Sequence, residues 1–219
     1  MRQLLLDFTQ APAPTFDNFV AGRNDEPLAA LRAALAGIPE RVLYVWGESG
    51  AGKTHLLSAF AAARRGAILV RGEDYRGGEP GEVLVLDDVE RLGEARQVAL
   101  FNAFNERAYA LMVVSAHAAP RDVALRRDLA TRLATGLTYR LQPLSDDEKR
   151  AALAAHARAR GFVLGDEVAA YLLTRARRDM PSLIQALDAL DRYSLETGRP
   201  ITLPLLKAAM QPELAGPPA

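Results

Sequence analysis

The sequence contains no cysteine, no excess charge of either sign and no long apolar run, and each absence excludes a class of protein. Without cysteine, the 219-residue chain can form neither disulfide bonds nor thiolate metal sites, which fits a reducing cytoplasm. Its 27 basic and 27 acidic residues cancel, so no whole-molecule field attracts DNA or anionic lipid. No stretch approaches the length of a membrane span. We therefore expect a cytoplasmic protein with no membrane segment and no specific DNA binding of its own.

The most informative feature that is present is a complete phosphate-loop motif, G-x-x-x-x-G-K-T, at residues 47–54. Its glycines allow backbone N–H groups to surround phosphates, while Lys53 reaches the β- and γ-phosphates and the Thr54 hydroxyl can ligate Mg²⁺. An apolar run precedes the loop and a helical pattern follows it. The motif predicts binding of a nucleoside diphosphate or triphosphate. The predicted nucleotide contacts are Gly47, Glu48, Ser49, Gly50, Ala51, Gly52, Lys53, Thr54, His55 and Asp87.

Apolar runs typical of strands alternate with helical patterns through the first two thirds of the chain. The predicted strands are 42–46, 67–71, 83–87, 111–115 and 137–141, and the main predicted helices are 26–35, 95–108 and 123–134. Strands this continuously apolar are typical of a parallel sheet that is buried on both faces. The pattern therefore predicts an α/β fold with helices on both sides of a parallel sheet.

After Pro143 the pattern changes to helices alone. Ser145 and Glu148 form an S-x-x-E capping box, which predicts the start of the first of these helices. The predicted helices are 146–160, 166–178, 181–196 and 202–210. The predicted organisation is a tail at 1–14, an α/β core at 15–143, a small all-helical domain at 144–211 and a frayed end at 212–219.

Two carboxylates follow the third predicted strand. A buried strand that ends in an acid delivers that acid to the carboxyl edge of the sheet, beside the phosphate loop. We expect Asp87, together with Thr54, to hold nucleotide-bound Mg²⁺, and Asp88 to orient or activate an attacking water. Alone such a strand end is weak evidence, but at this spacing from a phosphate loop it is strong.

Two further residues have a possible catalytic role and a possible structural one. Ser115 ends the fourth strand at the same sheet edge, where it could contact the terminal phosphate or the attacking water, or only cap a turn. Arg132 could reach into a neighbouring subunit as an arginine finger, which is worth roughly 10³–10⁵ in rate. Alternatively, Arg126, Arg127 and Arg132 form a solvated helix face. A local basic face made of these three arginines and Arg140 could touch DNA weakly.

The order of four segments resembles the AAA+ family and, within it, the bacterial replication initiator DnaA. These segments are TFDNFVAGRN at 15–24, GESGAGKTHLL at 47–57, VLDD at 85–88 and DLATRL at 128–133. The resemblance covers about residues 15–210, and it implies that the helical domain is the lid of an AAA+ protein. It also implies that Arg132 occupies the arginine-finger position. An initiator would continue beyond the lid into a helix-turn-helix DNA-binding domain, for which we expect no counterpart here.

The amino-terminal tail resembles the Q-L-x-L-x-F peptides with which bacterial replication proteins bind the sliding clamp. Gln3, Leu4, Leu6 and Phe8 match that pattern, although a short apolar end could instead be an N-terminal strand or a loosely packed terminus. A DnaA-like core behind a clamp peptide is similar to the DnaA-related regulators that promote ATP hydrolysis by DnaA. The resemblance thus implies two partners, DnaA and the β sliding clamp of DNA polymerase III, and a possible homodimer.

One departure from the family pattern concerns intrinsic ATPase activity. The family usually places a sensor arginine where this chain has Pro181, and Arg177 or Arg178 could only partly replace it. We therefore expect bound ADP or ATP with Mg²⁺ and weak hydrolysis by the chain itself. The alternative is a self-contained ATPase similar to DnaC-like helicase loaders, in which Arg132 would act within a homo-oligomer.

Overall fold

Five apolar segments form a parallel sheet in the computed structural model, which describes residues 13–176 and 179–210. The strands are β1 (Val42–Trp46), β2 (Ala67–Arg71), β3 (Val83–Asp87), β4 (Leu111–Ala116) and β5 (Leu137–Arg140). Their order across the sheet is β2-β3-β4-β1-β5, and every neighbouring pair is parallel. Because β4 lies between β1 and β3, the carboxyl ends of these three strands lie side by side.

Alternate residues of each strand are buried on opposite faces of the sheet. In β1, Leu43 and Val45 pack in one apolar cluster, whereas Val42 and Tyr44 pack in another. The first cluster includes residues of α1 (Asp25–Ala36) and α2 (Lys53–Ala63), and the second includes residues of α3 (Glu94–Asn105) and α4 (Arg127–Leu133). This arrangement confirms the predicted parallel sheet with helices on both faces. Each fully buried leucine contributes about 1.5–3 kcal/mol to the stability of these layers.

The predicted helix at 123–134 is wrong over its first four residues, because α4 begins only at Arg127. Arg126 has extended backbone angles (φ −54°, ψ 135°), and its N–H donates to Oε1 of Gln97 rather than to a carbonyl one turn earlier. Val123 is nevertheless buried, so the apolar pattern there reflects a packed loop. Similarly, α3 ends at Asn105 rather than residue 108, since Arg107 adopts a left-handed conformation (φ 57°). A 3₁₀ turn at Val89–Arg91 was not predicted.

Four helices form a separate compact unit that begins at Ser145, and the sheet unit comprises Pro14–Leu144. They are α5 (Asp146–Ala159), α6 (Asp166–Arg175), α7 (Met180–Thr197) and α8 (Leu203–Met210). The predicted capping box is present, since Ser145 Oγ accepts from the Glu148 N–H at 3.1 Å and Glu148 Oε2 accepts from the Ser145 N–H at 2.7 Å. α6 ends at Arg175, earlier than predicted. No helix in the described ranges is long and apolar enough to cross a membrane.

Candidate functional site

The phosphate loop connects β1 to α2 through a backbone that two glycines make possible. Gly47 packs so closely against the carbonyl oxygen of Leu141 that any side chain would collide with it. Gly52 has φ +96°, a left-handed conformation that favours glycine, and it lies against the Phe19 ring. The loop is therefore held between β5 and the segment that precedes α1.

Lys53 lies inside this loop. It is 9% exposed, and its Nζ donates to the carbonyl oxygens of Gly47 at 2.7 Å and Glu48 at 3.1 Å. Among the described residues, the backbone N–H groups of Gly52, Lys53 and Thr54 have no acceptor. A buried cation beside unpaired N–H groups at a helix N-terminus is suited to an anion, so the loop fits the phosphates of a nucleotide.

A chain of side-chain hydrogen bonds crosses the carboxyl edge of the sheet. Thr54 Oγ1 donates to Asp87 Oδ2 at 2.7 Å, and Ser115 Oγ donates to Asp87 Oδ1 at 2.5 Å. Asp87 is 3% exposed, and the two bonds fix both of its oxygens. A carboxylate beside a hydroxyl, next to a phosphate site, is the donor set from which Mg²⁺ is usually held together with phosphate oxygens and waters. Thr54 and Asp87 therefore fit the predicted metal role, which bound nucleotide would complete.

Asp88 follows the strand in a left-handed conformation, with φ 55° and ψ 59°. Its N–H donates to Ser115 Oγ at 2.9 Å, and its carboxylate lies 3.6 Å from Arg91 Nε. Partial burial, followed by repulsion from Asp87 and Glu90, raises the pKa of Asp88 above the usual aspartate value. A raised pKa makes this carboxylate a better proton acceptor than an ordinary aspartate, which suits an acid that orients or activates water.

The structure places Ser115 more deeply than the sequence suggested. It is fully buried, and its hydroxyl joins the Asp87 carboxylate to the Asp88 backbone. It therefore positions both acids, and direct contact with a phosphate or water stays a prediction. His55 lies in the first turn of α2, with Nε2 2.9 Å from the carbonyl oxygen of Thr15. Its nucleotide contact also stays a prediction.

Sequence reasoning assigned Arg140 to a basic face and missed its position beside the phosphate loop. Arg140 is the register partner of Trp46, and its guanidinium carbon lies 5.2 Å from the centre of the Trp46 ring. Its NH2 lies 3.7 Å from Glu48 Oε1 within the loop. Only the pairing of β5 with β1 brings these residues together, so no local pattern could have indicated the contact.

Asn24 is a second residue whose role was missed. It is 1% exposed, and its side-chain amide exchanges two hydrogen bonds with the backbone of Gln142, at 2.9 and 2.8 Å. This pair joins positions 118 residues apart. Asn24 thereby attaches the TFDNFVAGRN segment to the end of β5, close to the loop. The unusual burial of an asparagine was the signal, and burial is visible only in the structure.

Arg132 lies at a different surface, in the last turn of α4. Four residues later, Gly136 packs against the carbonyl oxygen of Val42, at the start of β1. The phosphate loop follows the end of that strand, about 16 Å away at 3.3 Å per residue. Arg132 is exposed and lines an open groove of about 690 Å³. The other residues that line this arginine groove are Phe101, Arg126, Arg127, Asp128 and Thr131.

Two sets of predicted residues lie outside the described residues. They are the clamp-peptide positions Gln3, Leu4, Leu6 and Phe8, and the arginines Arg177 and Arg178. Pro181 lies in the first turn of α7, where Asp179 caps the helix by accepting from the Ser182 N–H at 2.9 Å. A proline is well suited to this position, since it needs no intrahelical N–H donor there.

Two family models match different parts of the chain. A family model of the Hda lid domain matches residues 146–210, and a model of the bacterial DnaA ATPase domain matches residues 11–68. An uncharacterized protein of Haemophilus influenzae is 34% identical over 224 residues, covering 94% of this chain and 97% of that protein.

Solved structures show the same fold. Domain III of the Thermotoga maritima replication initiation protein DnaA superposes with a TM-score of 0.68 at 22% identity, over 92% of this chain and 98% of that one. AMPPCP-bound DnaA from Aquifex aeolicus gives 0.67 at 20% identity, over 84% of this chain and 67% of that one. The Thermotoga maritima RuvB Holliday junction branch migration motor superposes with a TM-score of 0.63 at 19% identity, over 90% of this chain and 71% of that one. The chain is therefore Hda-like in its helical unit and DnaA-related in the first part of its sheet unit, with the fold of the DnaA and RuvB structures.

Proposed function

We propose that the sheet unit binds ADP or ATP through the phosphate loop, with Mg²⁺ held at Thr54 and Asp87. The buried Lys53, the unpaired N–H groups at the start of α2 and the fixed Asp87 carboxylate support this assignment. When bound, Mg²⁺ would neutralise phosphate charge. Pro181 at the family's sensor-arginine position supports weak intrinsic hydrolysis, so the nucleotide would chiefly organise this protein.

We further propose that the chain stimulates ATP hydrolysis by the initiator DnaA and so prevents repeated initiation of DNA replication. The observation that carries this proposal is the position of Arg132. It is exposed, and Gly136, four residues after it, packs at the start of β1, at the end of that strand opposite the phosphate loop. A phosphate that Arg132 contacts would therefore belong to another subunit. In that setting Arg132 would stabilise charge that develops on the γ-phosphate of DnaA-bound ATP.

The tail at 1–14 would bring the protein to the replication fork. In this proposal Gln3 satisfies polar groups at the rim of a pocket on the β sliding clamp, while Leu4, Leu6 and Phe8 bury apolar surface in its groove. In this proposal the tail contacts the clamp and the arginine groove contacts DnaA, so the two partners are bound by different residues. A homodimer of the free protein is compatible with this arrangement.

The deciding experiment measures hydrolysis of DnaA-bound ATP with DNA-loaded clamp and each variant of this chain. We expect Arg132→Ala to reduce the stimulated rate by about 10³-fold, to near the rate of DnaA alone, while nucleotide and clamp binding persist. Arg121→Ala is the matched control, because Arg121 is an exposed arginine whose ion pair, within the described part of the chain, is with its neighbour Asp122. Stimulation that survives in Arg132→Ala would contradict the trans role. Rapid Arg132-dependent hydrolysis by the chain without DnaA would instead identify the helicase-loader type of ATPase.

A second experiment tests the tail. Replacement of Gln3 and Leu4 by alanine should abolish clamp binding in a surface-based assay while the thermal unfolding midpoint stays unchanged. Equal binding by the variant and the parent chain would show that the tail is not a clamp peptide.

A further inference from the structure

Asp128 and Arg132 are spaced for an ion pair that does not form. They stand four residues apart on α4, with the acid on the N-terminal side, which is the favourable orientation for a pair across one helical turn. Such a pair would neutralise the guanidinium of Arg132. Yet among the residues that the structure describes, no carboxylate pairs with Arg132.

Asp128 forms its ion pair with Arg126 instead. Its NH2 lies 2.9 Å from Asp128 Oδ2 and its Nε lies 3.3 Å from Oδ1, so both oxygens accept from the same guanidinium. Oδ1 also accepts from the Leu129 N–H at 2.8 Å. The two-point contact is the strong geometry for arginine and carboxylate. The same contact lowers the pKa of Asp128 below its usual value.

Arg132 is left beside an aromatic ring rather than an anion. Its guanidinium carbon lies 6.0 Å from the centre of the Phe101 ring, at the edge of the distance range for a cation–π contact. That contact orients the side chain without cancelling its charge. The adjacent Arg127 is exposed as well, so the arginine groove presents more positive than negative charge.

We propose that Arg126 is a positioning residue that keeps Asp128 occupied and so leaves Arg132 free to contact a phosphate bound by another subunit. This inference rests on the trans role of Arg132 proposed above. Arg126 begins the helix in an extended conformation, which lets its side chain turn back onto Asp128. Without Arg126, Asp128 is the nearest carboxylate in the helix for Arg132. Arg132 would then have to break its ion pair with Asp128 before it could contact a phosphate.

The experiment compares four variants in the DnaA hydrolysis assay at low ionic strength: Arg126→Ala, Asp128→Asn, the double variant and Arg132→Ala. An exposed pair across one helical turn is weak, so we expect Arg126→Ala to lower the stimulated rate roughly 1.5- to twofold. Asp128→Asn should lower the rate less than Arg126→Ala does, because it removes the competing carboxylate, and the double variant should recover the rate. Higher salt should reduce the difference, because it screens exposed charges.

Rescue separates positioning from folding, because a merely structural loss in Arg126→Ala would not be repaired by a second substitution. The position of Arg132 is also followed without any partner, by NMR of ¹⁵Nε-labelled arginine. The Arg132 Nε–H signal should shift in Arg126→Ala and return in the double variant. No shift in Arg126→Ala, or no rescue in the double variant, would overturn the inference. If Arg132→Ala itself has no effect on DnaA, the proposed trans role fails, whatever the Arg126 variants show.

Discussion

Charged side chains are buried at the phosphate-loop edge of the sheet and exposed in the arginine groove. At the sheet edge Lys53 and Asp87 are buried, and each makes two hydrogen bonds that fix its position. In the arginine groove Arg132 is exposed, its guanidinium lies beside the Phe101 ring, and no carboxylate of the described residues pairs with it. One region is therefore rigid before any ligand arrives, whereas the other keeps a cation in water.

This difference follows from what each region would bind. A nucleotide that stays with the chain benefits from pre-organised donors, because no reorganisation then accompanies binding. A cation that acts on another subunit must stay solvated until that subunit docks, because a buried and unpaired charge would be costly. The two regions can therefore be separated by mutation.

The largest effect should come from Lys53→Ala. Loss of the buried ammonium removes charge-assisted hydrogen bonds to phosphate, so affinity for a fluorescent ADP analogue should fall by about ten- to a hundredfold. Arg132→Ala should keep the parent affinity within about twofold, since it lies away from the loop. Fluorescence titration of both variants tests this separation. Equal losses would show that the two regions are coupled.

Removal of one hydroxyl from each region should change the free energy of unfolding by different amounts, more at the sheet edge than in the arginine groove. Ser115→Ala leaves the buried Asp87 carboxylate and the Asp88 N–H each short of a partner, which should lower the free energy of unfolding by about 1–3 kcal/mol. Thr131 Oγ1 donates to the carbonyl oxygen of Arg127 at an exposed position, so Thr131→Ala should lower the free energy of unfolding by less than about 0.5 kcal/mol. Urea denaturation measures both. A Ser115→Ala variant as stable as Thr131→Ala would contradict the positioning role.

The two aspartates next to these sites should respond oppositely to pH in the nucleotide-free protein. The pKa of Asp88 is raised, so its protonated form favours the fold, and that stability is lost as pH rises through the folded-state pKa. The pKa of Asp128 is lowered, so its contribution is present above the unfolded-state value and is lost as pH falls.

At neutral pH, Asp88→Asn should therefore stabilise the protein by less than about 1 kcal/mol, and asparagine tolerates the left-handed backbone there. Asp128→Asn should destabilise it slightly. Unfolding curves between pH 4 and 8 measure whether each variant raises or lowers the free energy of unfolding. Effects of the same sign would mean that one of the two environments is assigned wrongly.

The smallest effect on stability should come from Arg140→Ala. The pair with Glu48 is long and both side chains are largely exposed, so the change in unfolding free energy should stay under about 0.5 kcal/mol. Trp46 is the single tryptophan, and removal of the stacked cation should still alter its fluorescence. An unchanged spectrum would show that the stacking does not persist in solution.

Sequence reasoning succeeded where a short stretch of chain carries the signal. The bounds of β1, β2 and β3 are as predicted, because continuous apolar runs and flanking turns are local properties. The capping box at Ser145 was predicted for the same reason. The helix predicted from residue 123 is wrong at its start, because Val123 is buried in a loop rather than in a helix. Apolar periodicity alone does not distinguish a buried loop residue from a buried helix residue.

The amino-acid sequence by itself determined the α/β layers, the phosphate loop and the acidic end of β3, because each depends on residues that are adjacent in the chain. Only the tertiary structure decided that Ser115 joins Asp87 to Asp88, because β4 had to lie between β1 and β3. Likewise, sequence spacing alone favours a pair between Asp128 and Arg132. In the folded chain Asp128 pairs with Arg126, and the Arg132 guanidinium lies beside the Phe101 ring. The extended start of α4 and the neighbouring α3 place these partners closer than Asp128 and Arg132 are to each other.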